Sequence, residues 1–337
     1  PSERRRQIVN RAARRHGARG AALLAAMLTV TLVASFAAAA LWQQWRGVTI
    51  EAAERARVQA AWILIGALDW SRLILHEDAR AGGGDHLAEP WAVPLEEARL
   101  STFLAAQDGH AQDVAGTDTA DAFLSGRIVD LQSRLNLASL VVGGTVQPSV
   151  HAQFARLFAQ LGLPGPQLDA LEQALVRATA PEPAQAGQAA LMPQQLEQLA
   201  WLGVSAANIA LLAPYVTVLP ERAPVNLNTA PPEVLQAAIE GLDRAGAEML
   251  ATAREARPFR SLDDVRALLR RDAALSPTDL SVGSSYFEVH GRLRLEGATV
   301  RERSLVYRLG TQVSTLWRTR AAGPDPLDAP PTMAREI

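Results

Sequence analysis

The run AALLAAMLTVTLVASFAAAALWQQW, residues 21–45, contains no charged side chain and decides how the rest of the chain is placed. As one α-helix rising 1.5 Å per residue, it would be roughly 35 to 40 Å long, which is enough to cross a bilayer core of about 30 Å. The basic residues that precede it are Arg4, Arg5, Arg6, Arg11, Arg14, Arg15 and Arg19. Because positively charged flanks stay in the cytoplasm, the sequence predicts a single-pass protein whose bulk lies across the membrane.

Three other kinds of amino-terminal segment share some of these features. A secretory signal peptide has an apolar segment of about 7 to 15 residues and a small-residue cleavage site, whereas this run is longer and shows no sharp stop. A mitochondrial presequence would be amphipathic rather than uniformly apolar. An uncleaved membrane anchor fits the hydropathy equally well, so the residues around Gly20 must decide between anchoring and processing.

The junction between Gly20 and Ala21 resembles the class III leader of type IV pilins and of type II secretion pseudopilins. The resemblance implies that a prepilin peptidase cuts after Gly20 and that the apolar helix is kept. These families usually carry glutamate at the fifth mature position, where this chain has Ala25. An ionised carboxylate in hydrocarbon is costly unless a partner neutralises it, and its expected partner is the amino group of the subunit above. The missing acid is expected of the K-type minor pseudopilin, a subunit proposed to sit at the filament tip.

Residues 46–80 contain no proline and continue the helical pattern. Apolar side chains recur at helical spacing along this part, at Val58, Trp62, Ile65 and Leu68. We expect this face to pack on a sheet or to contact a partner. The glycines in AGGGD, residues 81–85, should end the helix.

Two stretches on either side of a helical block are typical of strands. Residues 120–141 alternate in polarity and predict a hairpin that turns at Ser125 and Gly126, and residues 285–310 alternate again. Between them, residues 148–275 form short helix-like segments separated by proline or glycine. Neither set of strands is enough for a stable sheet alone, so the sequence predicts an α+β fold in which a helical block is inserted into one antiparallel sheet.

These patterns divide the chain into six predicted segments. They are a leader (1–20), a transmembrane helix (21–45), a pilin-like helix with the first strands (46–147), an inserted helical domain (148–280), carboxy-terminal strands (281–320) and a disordered tail (321–337).

Two internal motifs add to the leader. The segment from Asp130 to Leu137 contains Asn136, and PVNLNTAPPEVL, residues 224–235, contains Asn226, Asn228 and Thr229. Taken by itself, the second motif predicts that Asn228 or Thr229 accepts hydrogen bonds from the first amides of the next helix, which would begin near Pro231 or Pro232.

Together with the leader, these motifs resemble the type II secretion protein K family over nearly the whole chain. The resemblance implies a pilin-like fold and a non-enzymatic minor pseudopilin that caps the tip of the periplasmic pseudopilus and helps to initiate its assembly. It also implies a single-pass location in the inner membrane with the bulk of the chain in the periplasm. The implied partners are the I- and J-type minor pseudopilins and the prepilin peptidase.

An alternative comes from residues 225–269, which also resemble the helix-hairpin-helix domain of membrane-anchored, competence-type DNA receptors. Such hairpins bind phosphate through backbone amides at a glycine-rich turn, here residues 240–244. Asp243 would place a negative charge against that phosphate, and the net charge of −2 gives no general attraction to nucleic acid. We therefore expect no nucleic-acid partner.

Catalytic and metal motifs are sparse. The six histidines are not part of an HExxH motif, and the sequence has no nucleophile elbow and no phosphate loop, so an enzyme is not expected. The absence of cysteine excludes disulfides and thiolate metal sites. No cofactor is certain. Aspartates in a loop could supply oxygen ligands to calcium, which the family resemblance suggests, although their spacing is not that of an EF-hand: Asp108, Asp113, Asp118 and Asp121.

Overall fold

The computed structural model describes residues 2–102, 122–179, 191–269, 275–295 and 298–320, with side chains from residue 21 onward. The predicted tail and the four aspartates proposed for calcium lie outside these residues. The chain divides into two units, residues 1–59 and 60–337. One helix, α1 (Ser2–Ala81), provides the first unit and begins the second.

The first unit is an exposed apolar helix. Its side chains from residue 21 to residue 55 are exposed, and an 18-residue window has a mean hydropathy of 2.2 with none of the window buried. The hydroxyls of Thr29, Thr31 and Ser35 donate to helix carbonyls, which suits a medium that offers no water. Trp42 and Trp45 stack with ring centroids 5.4 Å apart at the end of the run, a position typical of a membrane interface. This helix fits a single-pass membrane anchor.

The second unit contains a five-stranded antiparallel sheet, whose strands lie side by side in the order in which they are given next. Its strands are β1 (Leu95–Arg99), β2 (Phe123–Asp130), β9 (Tyr286–Leu295), β10 (Ala298–Leu309) and β11 (Gln312–Arg320). The chain between β2 and β9 contains the helical block, although these two strands are neighbours in the sheet. The α+β class with an inserted helical block is confirmed.

The last turns of α1 pack on one face of this sheet. The buried helix residues are Ala60, Ala61, Leu64, Leu68 and Leu75, and they share a core with Trp91, Phe287 and Leu293. Of the predicted face, Leu68 is buried and Ile65 is half-buried, whereas Trp62 is 69% exposed. Val58, in the first unit, is also exposed. The predicted helix break is confirmed, since α1 ends at Ala81 and Gly82 has a φ of 69°.

The predicted hairpin at Ser125 and Gly126 is wrong, because both residues lie inside the continuous strand β2. Gly126 pairs with Gly291 of β9. A Cβ at Gly126 would lie 2.6 Å from the carbonyl oxygen of His290, so this glycine allows close strand packing rather than a turn.

The helical block has its own core. Its helices are α2 (Pro148–Gln160), α3 (Gly165–Thr179), α4 (Ala206–Leu212), α5 (Pro232–Ala238), α6 (Arg244–Ala256) and α7 (Leu262–Leu269), with a 3-10 helix at Leu196–Leu202. Buried side chains from these helices include Phe154, Leu175, Leu199, Leu235 and Leu250. Short strands lie before, within and after these helices: β3 (Leu135–Asn136) pairs in parallel with β6 (Val216–Thr217), β4 (Val141–Val142) pairs with β5 (Thr145–Val146), and β7 (Val225–Asn226) pairs in parallel with β8 (Leu280–Ser281).

Candidate functional site: a buried polar junction

Asp130, the last residue of β2, lies at the centre of a buried hydrogen-bond network. Its Oδ1 accepts from the Gln132 amide at 2.8 Å. Its Oδ2 accepts from Asn226 Nδ2 at 3.0 Å, from the Thr229 hydroxyl at 2.5 Å and from the Ser284 hydroxyl at 2.6 Å. Burial raises the pKa of the Asp130 carboxyl, although these hydrogen bonds act in the opposite direction. One carboxylate thus joins the sheet to the helical block and to the segment before β9.

Asn226 extends the network to the loop that follows the long helix α1. Its Nδ2 also lies 3.0 Å from the Asp85 carbonyl oxygen and 3.0 Å from Ser284 Oγ. Its Oδ1 accepts from the Asn228 amide at 3.0 Å. Asn226 is fully buried, so each of these polar contacts replaces water that the site excludes.

Asn228 and Asn136 each bind the backbone of a distant segment. Asn228 accepts from the Phe259 amide and donates to the Phe259 carbonyl oxygen, both at 2.9 Å. Asn136 donates to the Glu221 carbonyl oxygen at 2.7 Å and accepts from the Leu219 amide at 3.0 Å. These buried amides fix loops that have no regular ladder of their own.

The prediction that Asn228 or Thr229 caps the next helix is wrong. The N-cap of α5 is Pro231, which makes no side-chain cap bond, and Thr229 donates to Asp130 instead. Arg254 of α6 binds the loop that precedes α5: it donates to the carbonyl oxygens of Leu227 and Ala230 at 2.7 and 2.5 Å.

Arg308 of β10 closes the junction next to an acidic group. Its Nη1 lies 2.7 Å from Asp78 Oδ2, and its Nη2 pairs with Asp85 and donates to the Ser284 carbonyl oxygen at 2.8 Å. Carboxylate oxygens of Asp78, Asp85 and Glu89 lie within 4.8 Å of one another. Burial and the charge of Glu89 raise the pKa of Asp78 to about 6, although Arg308 acts in the opposite direction.

This acidic group has the donor chemistry of a calcium site, but a guanidinium already binds two of its three carboxylates. Arg308 compensates one of the three negative charges, and a cation would have to compete with its guanidinium for Asp78 and Asp85. The arrangement fits a structural ion pair better than a resident metal.

The predicted family-motif residues therefore meet in two places. Asp130, Asn226 and Thr229 are in direct contact, and Asn228 bonds to Asn226 through its amide. Asn136 lies in a separate set of bonds around the segment after β6. Gly20, Ala21 and Ala25 lie within α1 in the first unit, and Ala25 is exposed.

Sequence reasoning missed Asp85, Ser284 and Arg308. A signal for Arg308 was present, since it is a charged residue in register with the apolar residues of an alternating strand. The nearest sequence signal for Asp85 was the glycine run that precedes it; in the structure, a Cβ at Gly84 would lie 2.7 Å from the Val282 carbonyl oxygen. Ser284 gave no local signal.

The possible phosphate-binding hairpin is formed by α5 and α6. Gly241 has a φ of 71° in the turn, as such a hairpin requires. However, Asp243 is the N-cap of α6 and accepts from the Gly246 amide at 2.8 Å. A carboxylate therefore lies at the helix end where an anion would have to bind, and this disfavours DNA binding.

Comparisons with known proteins agree on one family. Two models of the family described as type II secretion system protein K match residues 133–221 and 225–283. The chain is 30% identical to the type II secretion system protein K of Pseudomonas aeruginosa strain PAO1 in an alignment 329 residues long that covers 90% of each protein.

A solved structure shares the fold. The chain resembles a chain in the crystal structure of the GspK-GspI-GspJ complex from the enterotoxigenic Escherichia coli type 2 secretion system, with a TM-score of 0.62 at 20% identity. The alignment covers 80% of this chain and 98% of that chain.

Proposed function

The chain belongs to the type II secretion system protein K family and is a minor pseudopilin, and we propose that it caps the tip of the periplasmic pseudopilus and helps to initiate its assembly. The observation that carries the proposal is Ala25. It offers no carboxylate for the amino group of a subunit above, so this subunit needs no neighbour there. The helical block inserted between β2 and β9 supports the same position, because it adds bulk that a thin shaft would have to accommodate.

The proposed partners are the I- and J-type minor pseudopilins. The E. coli protein that this chain resembles was crystallised with GspI and GspJ. We propose that the exposed part of the predicted face, Val58 and Trp62 with the half-buried Ile65, contacts such partners. A large aromatic side chain that is 69% exposed gains most from burial in an interface.

We propose that the leader, residues 1–20, is removed and that the helix after it is kept. A prepilin peptidase would cut between Gly20 and Ala21, and the following helix would hold the subunit in the inner membrane with its bulk in the periplasm. The uncharged helix from residue 21 supports this location. The role is mechanical rather than enzymatic, because the polar groups of the junction are used to join segments of the fold. Calcium is retained only as a proposal from the family resemblance, since the four aspartates lie outside the described residues.

Immunogold labelling of pseudopili in cells that carry an epitope-tagged copy of this chain tests the tip position. The label should lie at filament ends. Ala25→Glu restores an acid at the fifth mature position and should shift label toward the shafts, whereas Ala26→Glu is the matched control with the acid one position away. Label distributed along the shafts for the unaltered protein would overturn the proposal.

A further inference from the structure

A cavity of about 350 Å³ lies on the face of the sheet that points away from α1. Its floor is formed by β2, β9, β10 and β11, and its other wall comes from residues 194–197 and 213–218. The charged and aromatic side chains that line it are Arg127, Arg134, Glu197, Glu288, His290, Arg303 and Trp317. The whole cavity lies in the second unit and is separate from the junction around Asp130.

The cavity wall carries more positive than negative charge. Three arginines line it, whereas its one buried carboxylate is Glu288. Glu288 Oε2 lies 2.8 Å from His290 Nε2, and Oε1 lies 3.3 Å from Arg303 Nε. Burial alone would raise the pKa of Glu288, but His290, Arg303 and Arg134 hold it below its ordinary value. Glu288 is thus already paired.

Arg127 and Arg134 have no comparable partner within the described part of the chain. The Arg127 Nε is buried and makes no hydrogen bond. The Arg134 guanidinium interacts with the charges of Glu288 and Asp130, while its backbone amide donates to the Leu131 carbonyl oxygen. Burial lowers the pKa of the Arg134 guanidinium, and the charge of Arg127 acts in the same direction. The two carboxylates of the wall, Glu288 and Glu197, already contact His290 and Arg303, so a further negative group beside Arg127 and Arg134 would be favourable.

Arg303, the third arginine of the wall, is held in a fixed orientation by its neighbours. Its guanidinium lies over the Trp317 ring, with Cζ 5.6 Å from the centroid, and its Nη2 donates to Gln195 Oε1 at 3.3 Å. Besides its contact with Glu288, Arg303 lies 3.6 Å from Glu197, whose side chain is 66% exposed, so this second ion pair is weak. A guanidinium fixed by a ring and an amide can bind an oxyanion with little loss of side-chain entropy.

We propose that this cavity binds a small free oxyanion, bearing phosphate or carboxylate groups, through Arg127, Arg134 and Arg303. Guanidinium groups match both oxyanions, since each presents paired N–H donors to paired oxygens. The volume is at the lower end of ligand pockets, which suits an anion of the size of phosphate or a short polycarboxylate. Arg134 belongs to the segment that leads from β2 into the helical block, so a bound anion would tie that segment to the sheet.

Calorimetric titration of the detergent-solubilised full chain, at constant ionic strength set with sodium chloride, tests the proposal. Inorganic phosphate and citrate form two separate arms, which distinguish the oxyanions. We expect saturable binding in at least one arm, accompanied by a rise in Tm. Arg134→Gln and Arg127→Gln should each weaken the affinity at least tenfold. The control Arg244→Gln changes an exposed arginine of α6 paired with Glu248, and it should bind like the unaltered chain.

Arg303→Lys covers the case in which Arg134→Gln fails to fold, because it keeps the charge and removes the paired donors. It should also bind at least tenfold more weakly, with an unchanged circular dichroism spectrum. The absence of saturable binding in both arms would overturn the proposal. Equal affinity in the unaltered chain and in Arg127→Gln and Arg303→Lys would overturn it as well.

Discussion

Gly126 of β2 and Gly291 of β9 are direct cross-strand partners, and an added Cβ at either position would make a contact shorter than 3.0 Å. A Cβ at Gly291 would lie 2.7 Å from Leu64 Cδ1 and 3.1 Å from Leu68 Cδ2, so this glycine lets the long helix approach the sheet. A Cβ at Gly126 would meet backbone, the His290 carbonyl oxygen at 2.6 Å. Gly126 therefore allows the close approach of β2 to β9, and Gly291 allows the close packing of α1 on the sheet.

Gly126→Ala should destabilise the second unit by about 1 to 3 kcal/mol, because a backbone carbonyl cannot move aside as a side chain can. Thermal unfolding of the detergent-solubilised chain, followed by circular dichroism, measures the change. Gly66→Ala is the control: nothing lies within 4 Å of its added Cβ, and alanine favours a helix by roughly 0.5 to 1 kcal/mol. A Gly126→Ala protein as stable as the unaltered chain would contradict this packing.

Asp130→Asn should lower the free energy of unfolding by about 2 to 4 kcal/mol. An NH2 group replaces one of the two oxygens that accept from Gln132, Asn226, Thr229 and Ser284, so at least one buried donor loses its acceptor. Asp169→Asn, at an exposed position on α3, should leave stability unchanged within about 0.5 kcal/mol. If both variants unfold at the same temperature, Asp130 does not hold the junction together.

Asp78 should give stability a measurable pH dependence. Its pKa is raised to about 6 in the folded chain from an ordinary value of 3.8, so the folded state binds more protons between these values. Stability from this group is therefore complete below about pH 4 and is lost as the pH rises through about 6. Since the group is partly solvated, we expect a loss of about 1 to 2 kcal/mol rather than the full value of the shift.

The comparison with Asp78→Asn isolates this contribution, because other titrating groups are common to both proteins. Chemical denaturation at pH 4.5 and pH 7 should show the larger fall in stability for the unaltered chain. The same fall in both proteins would mean that Asp78 titrates normally.

Local patterns in the sequence predicted the regular elements of this fold but not their long-range contacts. The uncharged run at 21–45 and the alternation at 286–309 are periodic within a few residues, so helix and strands could be read from them. Gly126 led to the wrong prediction of a hairpin, because glycine is common both in turns and where two strands approach closely. Thr229 led to the wrong prediction of a helix cap, because the same hydroxyl can either cap a nearby helix or hydrogen-bond to a distant carboxylate. The pairing of Arg308 with Asp85 joins residues more than 200 positions apart, and no local pattern encodes it.

Gly20→Ala should block leader removal in cells that contain a prepilin peptidase, if the junction is a class III site. Mass spectrometry of the purified protein should find Ala21 at the amino end of the unaltered chain and an uncut leader in the variant. Gly17→Ala, three residues upstream, is the control and should be processed normally. The same mature mass for the unaltered chain and Gly20→Ala would count against cleavage at this position.

Substitution of Trp62 distinguishes a role of the predicted helix face in partner contact from a role in folding. Trp62 is 69% exposed, so Trp62→Ala should leave the Tm of the isolated chain nearly unchanged, while copurification with I- and J-type minor pseudopilins should fall at least tenfold. Ile65→Asp should instead lower the Tm, because its side chain is half-buried beside the core residues Leu64 and Leu68. Trp201→Ala removes another tryptophan, 56% exposed in the helical block, and should preserve copurification. Equal recovery of partners by Trp62→Ala and Trp201→Ala would place the interface elsewhere, whereas a loss with both would point to a general effect of removing exposed aromatic surface.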